Sequence, residues 1–243
     1  MAAEPTAIVT GAGKRVGAII AQSLLADGWS VLAHVHHETD KVPPGARKVV
    51  ADLSDPGCAE TIFSAAEGLG PIGLLVNNAA RFRWDSVREF SPDEFDAHMA
   101  VNVRSAALLI DRLAANDDNN GALVVNLLDS KLAAPNPDFL SYTLSKYALA
   151  GLTELAARAL ASRGIRVNGI APALMLRSGE QTEDNFQAMH MNNPLGRGVE
   201  PEDVVQALRY LIDATGVTGQ ILTIDGGHRF FALKRDVQFL EAK

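Results

Sequence analysis

Near its N-terminal end the chain reads Ala7-Ile8-Val9-Thr10-Gly11-Ala12-Gly13-Lys14-Arg15-Val16-Gly17. The apolar run predicts a buried strand over 7–10, and the glycines that follow predict a tight turn. From Val16 the apolar residues recur with helical spacing until Asp27-Gly28. A strand, a glycine-rich turn and a helix in this order present backbone N–H groups at the helix N-terminus, where they can hold a pyrophosphate. The segment therefore predicts the first unit of a nucleotide-binding α/β fold.

The rest of the chain continues this alternation of strands and helices. Helices are predicted between the strands, for example over 91–115 and 140–163. Further strands are predicted at 30–35, 47–51, 73–77, 122–128, 165–170 and 220–224. Several of them are continuous apolar runs, which indicates strands buried on both faces of a parallel sheet. We therefore expect an α/β protein with a Rossmann-type doubly wound sheet, as a single domain over 1–243.

Composition excludes several classes of function. The chain has 243 residues and a net charge of −7 without a basic block, which argues against binding to nucleic acid. No run approaches 18 uncharged apolar residues, so no membrane span is predicted. The first strand begins too early to leave room for a signal peptide, and we expect a cytoplasmic protein.

One short segment carries residues suited to proton transfer. Tyr142 and Lys146 are four residues apart in a predicted helix and so share one face. A lysine beside a tyrosine favours the phenolate and is expected to lower the phenol pKa from about 10 toward neutrality. The pair alone could be a surface pair. Three further landmarks, however, occur in the order glycine turn, Asn77-Asn78-Ala79 and Asn102.

Together these motifs resemble the short-chain dehydrogenase/reductase family over nearly the whole chain. The matching positions are Thr10, Gly11, Gly17, Asn77-Asn78-Ala79, Asn102, Tyr142 and Lys146. Two positions depart from the usual pattern: Arg15 replaces the middle glycine, and Asp129 stands where the family usually has serine, thirteen residues before Tyr142. Both departures, together with Phe82, are similar to the pteridine reductase branch, which includes short-chain dihydromonapterin and dihydrofolate reductases.

The resemblance implies a role for each matching residue. The implied catalytic residues are Asp129, Tyr142, Lys146 and Asn102, the last anchoring a water in the proton chain. The implied cofactor-binding residues are Gly11, Lys14, Arg15, Val16, Gly17, His36, His37, Asp52, Leu53, Asn78, Ala79, Tyr142 and Lys146. The implied substrate-binding residues are Arg15, Phe82, Asp129, Tyr142 and Leu174. Among these, Phe82 would stack on a pterin ring and Asp52 would contact the adenine amino group.

The expected cofactor is NADPH. Members of the family that use NAD carry an acidic residue at the end of the second strand, where it holds the ribose 2′-hydroxyl. Here that strand ends in His36 and His37, and Glu38 follows in the loop. Lys14 is placed to meet a 2′-phosphate, with help from either histidine. His34 and His36 share a strand face but lack a third ligand nearby, so no metal site is predicted.

The family resemblance also implies a lid and an assembly. Segment 173–199 corresponds to the substrate lid, although it could simply be an amphipathic helix packed on the body of the protein. The tail 229–243 is expected near a subunit boundary, because its apolar residues would be costly to leave in water. A homotetramer built from helices such as 91–115 and 140–163 is the family's usual assembly.

Three functions are compatible with these motifs. The favoured one is NADPH-dependent reduction of a small-molecule pterin, since a carboxylate such as Asp129 suits a basic, nitrogen-rich ring. A serine instead suits a carbonyl oxygen that develops negative charge. The alternative is therefore a short-chain carbonyl (keto or 3-oxoacyl) reductase that uses Ser130 or Asp129. A protein that binds NADP without catalysis ranks last, because it should lack either Tyr142 or Lys146, and both are present.

Overall fold

A computed structural model describes residues 5–177 and 181–240 of the chain. Seven parallel strands form one sheet in the order β3-β2-β1-β4-β5-β6-β7. Their bounds are β1 Thr6–Val9, β2 Ser30–Val35, β3 Arg47–Val50, β4 Ile72–Asn77, β5 Leu123–Leu127, β6 Arg166–Pro172 and β7 Ile221–Ile224. All seven predicted strands are confirmed, and the doubly wound sheet of a single domain is confirmed with them.

Helices cover both faces of this sheet. Their bounds are α1 Arg15–Ala26, α2 Cys58–Ala65, α3 Pro92–Met99, α4 Ser105–Ala114, α5 Leu140–Leu160, α6 Glu183–His190 and α7 Pro201–Asp213. Apolar residues of α1 and α7 pack on one face, and those of α2, α4 and α5 pack on the other. Strands between two such layers must be apolar on both sides, which explains their continuous apolar runs.

Two predicted helices differ in detail from the structure. The helix expected over 91–115 consists of α3 and α4 joined by a π-helical turn, Ala100–Arg104. A π-turn inside a helix often accompanies a functional site, and this one carries Asn102. The helix expected over 140–163 ends as α-helix at Leu160 and continues as a 3₁₀ turn, Ala161–Arg163.

The predicted lid and tail are each described in part. Residues 178–180 of the lid and 241–243 of the tail lie outside the described residues. Within 173–177 and 181–199, the lid has one helix, α6, and no strand. Within 229–240, the tail forms parts of two 3₁₀ turns, His228–Phe231 and Val237–Phe239. Along the described parts of the chain, none of the helices combines the length and apolarity that crossing a membrane requires.

The sheet topology fixes where a ligand can bind. From β1 the chain moves outward through β2 and β3, then returns to place β4 on the other side of β1. The connections after β1 and β4 therefore leave in opposite directions, and a crevice opens at the carboxyl ends of these two strands. The glycine turn follows β1 and Asn77-Asn78-Ala79 follows β4, so the fold brings two of the predicted motifs to one crevice.

Candidate active site

The glycine turn and the Asn77-Asn78-Ala79 motif pack as one unit. The Thr10 hydroxyl oxygen accepts hydrogen bonds from the backbone N–H groups of Asn78 and Ala79, each at 3.0 Å. A Cβ atom on Gly17 would lie 2.2 Å from the carbonyl oxygen of Gly11, closer than real side chains approach. Gly11 itself has a φ of +65°, which favours glycine. The bare backbone leaves room for a phosphate at the N-terminus of α1.

His34 joins this unit to the neighbouring strands. Its Nδ1 accepts a hydrogen bond from the Gly11 backbone N–H at 3.1 Å, and its Nε2 lies 3.0 Å from the carbonyl oxygen of Ala51. Burial lowers the pKa of His34, so the ring is neutral and its proton belongs on Nε2, facing Ala51. Both ring nitrogens are occupied by backbone partners. Among the residues described, no group of three or more His, Cys, Asp or Glu side chains is arranged to hold a metal.

A cavity of about 880 Å³ opens at the carboxyl edge of the sheet. Nearly all of the predicted site residues line it. They are Gly11, Lys14, Arg15, Val16, Gly17, His36, His37, Asp52, Leu53, Asn78, Ala79, Phe82, Asp129, Ser130, Tyr142, Lys146 and Leu174. The exception is Asn102, which is buried behind the wall. The residues predicted from the sequence are spread over most of the chain, and the fold brings them together around one continuous cavity.

The corner of the cavity beside β2 contains an acid that sequence analysis overlooked. Glu38, the acid considered there, extends into solvent beside Lys48. Asp40 instead lines the cavity with Lys14, and its Oδ2 accepts a hydrogen bond from the His37 backbone N–H at 3.0 Å. That hydrogen bond lowers the pKa of Asp40, and the charges of His37 and Lys14 lower it further. The end of β2 itself carries His36 and His37 and no acid, as predicted, and Asp40 adds a carboxylate from the loop that follows.

Arg15 is committed in part to the lid. It adopts a left-handed conformation with φ of +53°, unusual for a residue with a side chain. Its guanidinium donates to the carbonyl oxygens of Arg177 at 2.8 Å and Leu176 at 3.2 Å. Arg15 was expected to reach the diphosphate or the substrate. In the structure it also ties the beginning of the lid to the glycine turn.

The three predicted catalytic side chains at the centre of the cavity are held by short hydrogen bonds. The Tyr142 hydroxyl donates to Asp129 Oδ2 at 2.8 Å. The other oxygen of Asp129 accepts from the Lys131 backbone N–H at 2.8 Å. Lys146 Nζ donates to the carbonyl oxygen of Leu127 at 2.6 Å and lies 5.6 Å from the centre of the Tyr142 ring. Tyr142 and Lys146 lie on one face of α5, as the spacing predicted.

The electrostatics of this group differ from the expectation. The pKa of Tyr142 is raised well above its usual value, first by burial and then by the charge and hydrogen bond of Asp129. The predicted lowering by Lys146 is wrong for this structure, because burial and the Asp129 carboxyl group, which accepts the phenol hydrogen bond, both favour the protonated phenol. Burial also raises the pKa of Asp129, and it lowers that of Lys146 to about 8. Tyr142 is therefore held protonated, as a proton donor must be.

Asn102 has protein partners rather than an exposed position in the cavity. Its Oδ1 accepts from the Arg81 backbone N–H at 2.7 Å, and its Nδ2 donates to the Arg81 carbonyl oxygen at 3.0 Å. The same Nδ2 also donates to Ser145 Oγ at 2.8 Å. Asn102 was expected to anchor a water. That role stays a prediction, and the side-chain contacts of Asn102 fasten the loop that carries Phe82 to α5.

Phe82 stands at the substrate end of the cavity with one face covered. Its ring stacks on Phe139 with the centroids 4.3 Å apart and meets the edge of Tyr142 at 4.7 Å. Phe139 in turn stacks on Phe239 of the tail at 6.0 Å. The face of Phe82 that Phe139 covers is therefore closed to a flat ligand.

An acid outside the predicted site, Asp85, fixes the start of α5. The buried Asp85 accepts from the Ser141 backbone N–H at 2.9 Å and from its hydroxyl group, so it caps the helix that carries Tyr142. Asp85 follows Trp84 in an irregular loop, and its partner is 56 residues away in the sequence. No local pattern in the sequence points to this contact.

The described part of the C-terminal tail, 229–240, forms one wall of the cavity. Arg235 makes a bidentate ion pair with Asp138, with N–O distances of 2.7 and 2.8 Å. Lys131 Nζ lies 3.4 Å from Asp236 Oδ2. These contacts hold the tail over the cavity, and His228 and Asp236 are among the residues that line it.

Comparisons with known proteins place the chain in a family. The family model described as enoyl-(acyl carrier protein) reductase matches residues 11–229. Human L-xylulose reductase is 35% identical over 236 residues, covering 90% of this chain and 94% of that protein. Pteridine reductase 1 of Leishmania tarentolae is 28% identical over 277 residues, covering 92% and 96%. The chain therefore belongs to the short-chain dehydrogenase/reductase family of oxidoreductases.

A solved structure agrees with this assignment in three dimensions. FolM alternative dihydrofolate reductase 1 from Brucella canis, complexed with NADP, superposes with a TM-score of 0.88 at 34% identity. The match covers 95% of this chain and 96% of that one. The resemblance to the pterin-reducing branch that the sequence suggested is confirmed by this neighbour and by pteridine reductase 1.

The buried Lys146 generates a prediction about stability. Its pKa falls from 10.5 to about 8 on folding, so the native state binds fewer protons than the unfolded state between these values. The contribution of this group to stability therefore rises with pH over that window. Relative to Lys146→Met, the wild-type free energy of unfolding should rise by about 2 kcal/mol between pH 7 and about pH 9.5. Urea denaturation of the wild type and of Lys146→Met at several pH values measures this difference in free energy of unfolding.

The exposed Lys41 offers a matched control, since Lys41→Met removes an ammonium group from the surface. Its stability relative to the wild type should stay constant with pH. If the difference in free energy of unfolding between the wild type and Lys146→Met is equally independent of pH, the pKa of Lys146 is not lowered by folding.

Proposed function

We propose that the protein is an NADPH-dependent reductase of pterins, converting a dihydropterin, dihydrofolate or dihydromonapterin to its tetrahydro form. The observation that carries this proposal is the 2.8 Å hydrogen bond from the Tyr142 hydroxyl to Asp129, at the substrate end of the cavity. A carboxyl group there suits a nitrogen-rich ring, because ring N–H and amino groups can donate to it. A carbonyl reductase would gain little from it, because a carboxylate repels the oxyanion that forms on a carbonyl oxygen.

The proposed reaction needs one hydride and one proton. A bound reduced nicotinamide would supply the hydride to the carbon of a C=N bond, and the adjacent ring nitrogen needs a proton. Tyr142 is the proton donor, since its raised pKa keeps the phenol protonated at neutral pH. Asp129 orients the hydroxyl and binds the ring, and the phenol recovers its proton from solvent. Lys146 supplies the positive charge that offsets the transient phenolate.

The cavity has the features that a dinucleotide requires. The bare backbone at Gly11 and Gly17 and the N-terminus of α1 fit a diphosphate, with Arg15 beside it. Asp52 and Leu53 would hold the adenine end, and Asn78 and Ala79 would flank the nicotinamide half together with Tyr142 and Lys146. Lys14, His36 and His37 would meet the 2′-phosphate. These assignments rest on the positions of the residues around one cavity.

The substrate would bind against Phe82. In this proposal the pterin stacks on the face of Phe82 that Phe139 does not cover. Leu174 of the lid and Arg15 of the glycine turn would close over the pterin. The similarity to a FolM alternative dihydrofolate reductase and to pteridine reductase 1 supports a pterin substrate.

A second candidate is a short-chain carbonyl reductase. Two observations favour it: Ser130 lines the same cavity as Asp129, and L-xylulose reductases are among the relatives. In that reading Ser130 would bind the carbonyl oxygen, and Asp129 would only position Tyr142.

Paired substitutions separate the two candidates. If Asp129 serves a basic pterin, Asp129→Ser should lower kcat/KM for a dihydropterin by about 100-fold and leave the NADPH dissociation constant nearly unchanged. Ser130→Ala should change the same quantity by less than about 3-fold, the effect of one weak hydrogen bond. NADPH oxidation is measured with dihydrofolate, dihydromonapterin, biopterin and a panel of ketones. Loss of ketone reduction in Ser130→Ala, with mild effects of Asp129→Ser, would favour the carbonyl reductase.

Cofactor preference provides a separate test. Lys14→Ala should weaken NADPH binding by about 1–3 kcal/mol, the range for a charged hydrogen-bond partner, and leave NADH nearly unaffected. Asp40→Asn is the matched control in the same corner of the cavity. It removes a negative charge, so NADPH binding should hold or tighten. Fluorescence titration of both cofactors measures this, and equal catalytic efficiency with NADH and NADPH in the wild type would contradict the assignment.

We also propose a cytoplasmic homotetramer. The exposed Leu144, Tyr147 and Leu155 of α5 give that helix an apolar outer surface, and Phe230 of the tail is 70% exposed. Contacts between subunits would remove these groups from water. Light scattering at micromolar concentration should give about four times the chain mass, and a monomeric mass would contradict the proposal.

A further inference from the structure

The loop that carries Phe82 is held by two buried side chains that do not line the cavity. Phe82 lies between Arg81 and Arg83 in the chain. Asn102 of the π-helical turn accepts a hydrogen bond from the Arg81 backbone N–H at 2.7 Å. On the other side of Phe82, the Arg83 backbone N–H donates to Nε2 of His98 at 3.2 Å. Both neighbours of Phe82 are therefore fastened to one helical segment.

His98 makes a contact at each of its ring nitrogens. The residue lies in the last turn of α3 and is fully buried. Because a backbone N–H can only donate, Nε2 is the acceptor and the ring proton belongs on Nδ1. Nδ1 lies 2.7 Å from the carbonyl oxygen of Glu94, one helical turn earlier, and donates to it. The imidazole is thus fixed to α3 at one nitrogen and holds the Phe82 loop with the other.

The two sides of Phe82 depend on different contacts. On the Arg81 side, Asn102 is joined by an ion pair in which the Arg81 guanidinium donates to the Glu94 carboxylate at 2.6 and 2.9 Å. Both side chains of this pair are about one-third exposed, so solvent weakens it. On the Arg83 side, the hydrogen bond to the buried His98 fixes the backbone. Removal of the imidazole therefore frees one side of Phe82 and leaves the other side held.

A fixed backbone matters here because Phe82 has a limited surface for a ligand. Phe139 covers one face of the ring at 4.3 Å, and Tyr142 meets the ring at 4.7 Å. If the ring keeps this position before a ligand arrives, binding costs less conformational entropy. Without His98, the Arg83 backbone N–H would lose its acceptor, and the loop would move to find another partner.

We propose that His98 is a positioning residue for substrate binding, which acts through the Arg83 backbone to hold the Phe82 ring in place. His98 does not line the cavity, so its effect on a substrate is indirect. The inference rests on the proposed function for the identity of that substrate, a dihydropterin stacked on Phe82.

Three substitutions of His98 test the acceptor at Nε2. His98→Leu removes both ring nitrogens, His98→Asn keeps a polar group near the position of Nδ1, and His98→Gln places one near Nε2. Asn119→Leu is the matched control for loss of a buried polar side chain. Asn119 lies at the amino end of the sheet, where it accepts from the Ile72 backbone N–H at 3.1 Å and donates to the Leu113 carbonyl oxygen at 3.0 Å.

KM and kcat for 7,8-dihydrobiopterin, NADPH affinity and the free energy of unfolding are measured for every variant. His98→Leu and His98→Asn should raise KM by about 3- to 10-fold, the effect of one lost hydrogen bond. KM of His98→Gln and Asn119→Leu should stay within about 2-fold of the wild type, and kcat and NADPH affinity should be nearly unchanged throughout. A purely structural role would destabilise His98→Leu and Asn119→Leu alike and leave KM unchanged. That result, or an equal rise of KM in all four variants, would overturn the inference.

A double-mutant cycle with Phe82→Ala shows whether His98 acts through Phe82. In the Phe82→Ala background, His98→Leu should change KM by less than about 2-fold, because no aromatic ring is left to position. A rise in KM as large as that in the wild-type background would contradict the proposed route.

Hydrogen exchange in the ligand-free protein keeps this inference separate from the proposed function. The Arg83 backbone amide should exchange at least about 10-fold faster in His98→Leu and His98→Asn than in the wild type, His98→Gln and Asn119→Leu. A wild-type enzyme that reduces no dihydropterin contradicts the proposed function, and the exchange measurement still decides the role of His98. Equal exchange of the Arg83 amide in the wild type and His98→Leu would overturn it.

Discussion

The hydrogen bond between Tyr142 and Asp129 is the interaction on which the site depends. It joins the segment after β5 to the first turn of α5, two elements that approach each other only because the parallel sheet is complete. The contacts around it serve to keep it in place. Asp85 caps the start of α5, and the Lys131 backbone N–H holds the second oxygen of Asp129. A phenol and a carboxyl group 2.8 Å apart thus have fixed orientations before any ligand arrives.

This arrangement places ionisable groups where water is scarce. Burial raises the pKa values of Asp129 and Tyr142 and lowers that of Lys146, so all three are shifted toward their neutral forms. The fold would be more stable with apolar residues at such positions. Buried ionisable groups of this kind indicate an active site, since shifted pKa values cluster where protons are transferred. The large apolar layers packed on both faces of the sheet stabilise the fold and offset the cost of burying these groups.

The sequence predicted the parts of the structure that depend on local pattern. Apolar patterns identified all seven strands, and helical spacing placed Tyr142 and Lys146 on one face of α5. The thirteen-residue offset singled out Asp129 rather than Ser130, and in the structure Asp129 accepts the hydrogen bond of the Tyr142 hydroxyl. The parts it missed depend on contacts between distant residues. Asp85 caps a helix 56 positions later, and the tail returns to the cavity through Asp138, which lies 97 positions before its partner Arg235.

The pKa of Tyr142 is another property that the sequence alone does not determine. Sequence spacing identifies Lys146 as a neighbour but gives neither the depth of burial nor the distance to a competing acid. Both raise the phenol pKa here, burial most of all. Asp40 is a similar case, because a loop rather than a strand end carries it to the cavity. Local motifs thus identified which residues line the site. The burial and distances that set their pKa values are known only from the folded structure.

The central claim is that Tyr142 and Asp129 act as one proton-donating unit toward a pterin. A double-mutant cycle of Tyr142→Phe, Asp129→Asn and the double variant, with kcat measured for dihydropterin reduction, tests it most directly. Each single change should lower kcat by about 100-fold or more, and the double variant should be no more than about 3-fold worse than the poorer single one. Effects that multiply in the double variant, or a Tyr142→Phe enzyme that keeps most of its turnover, would contradict it.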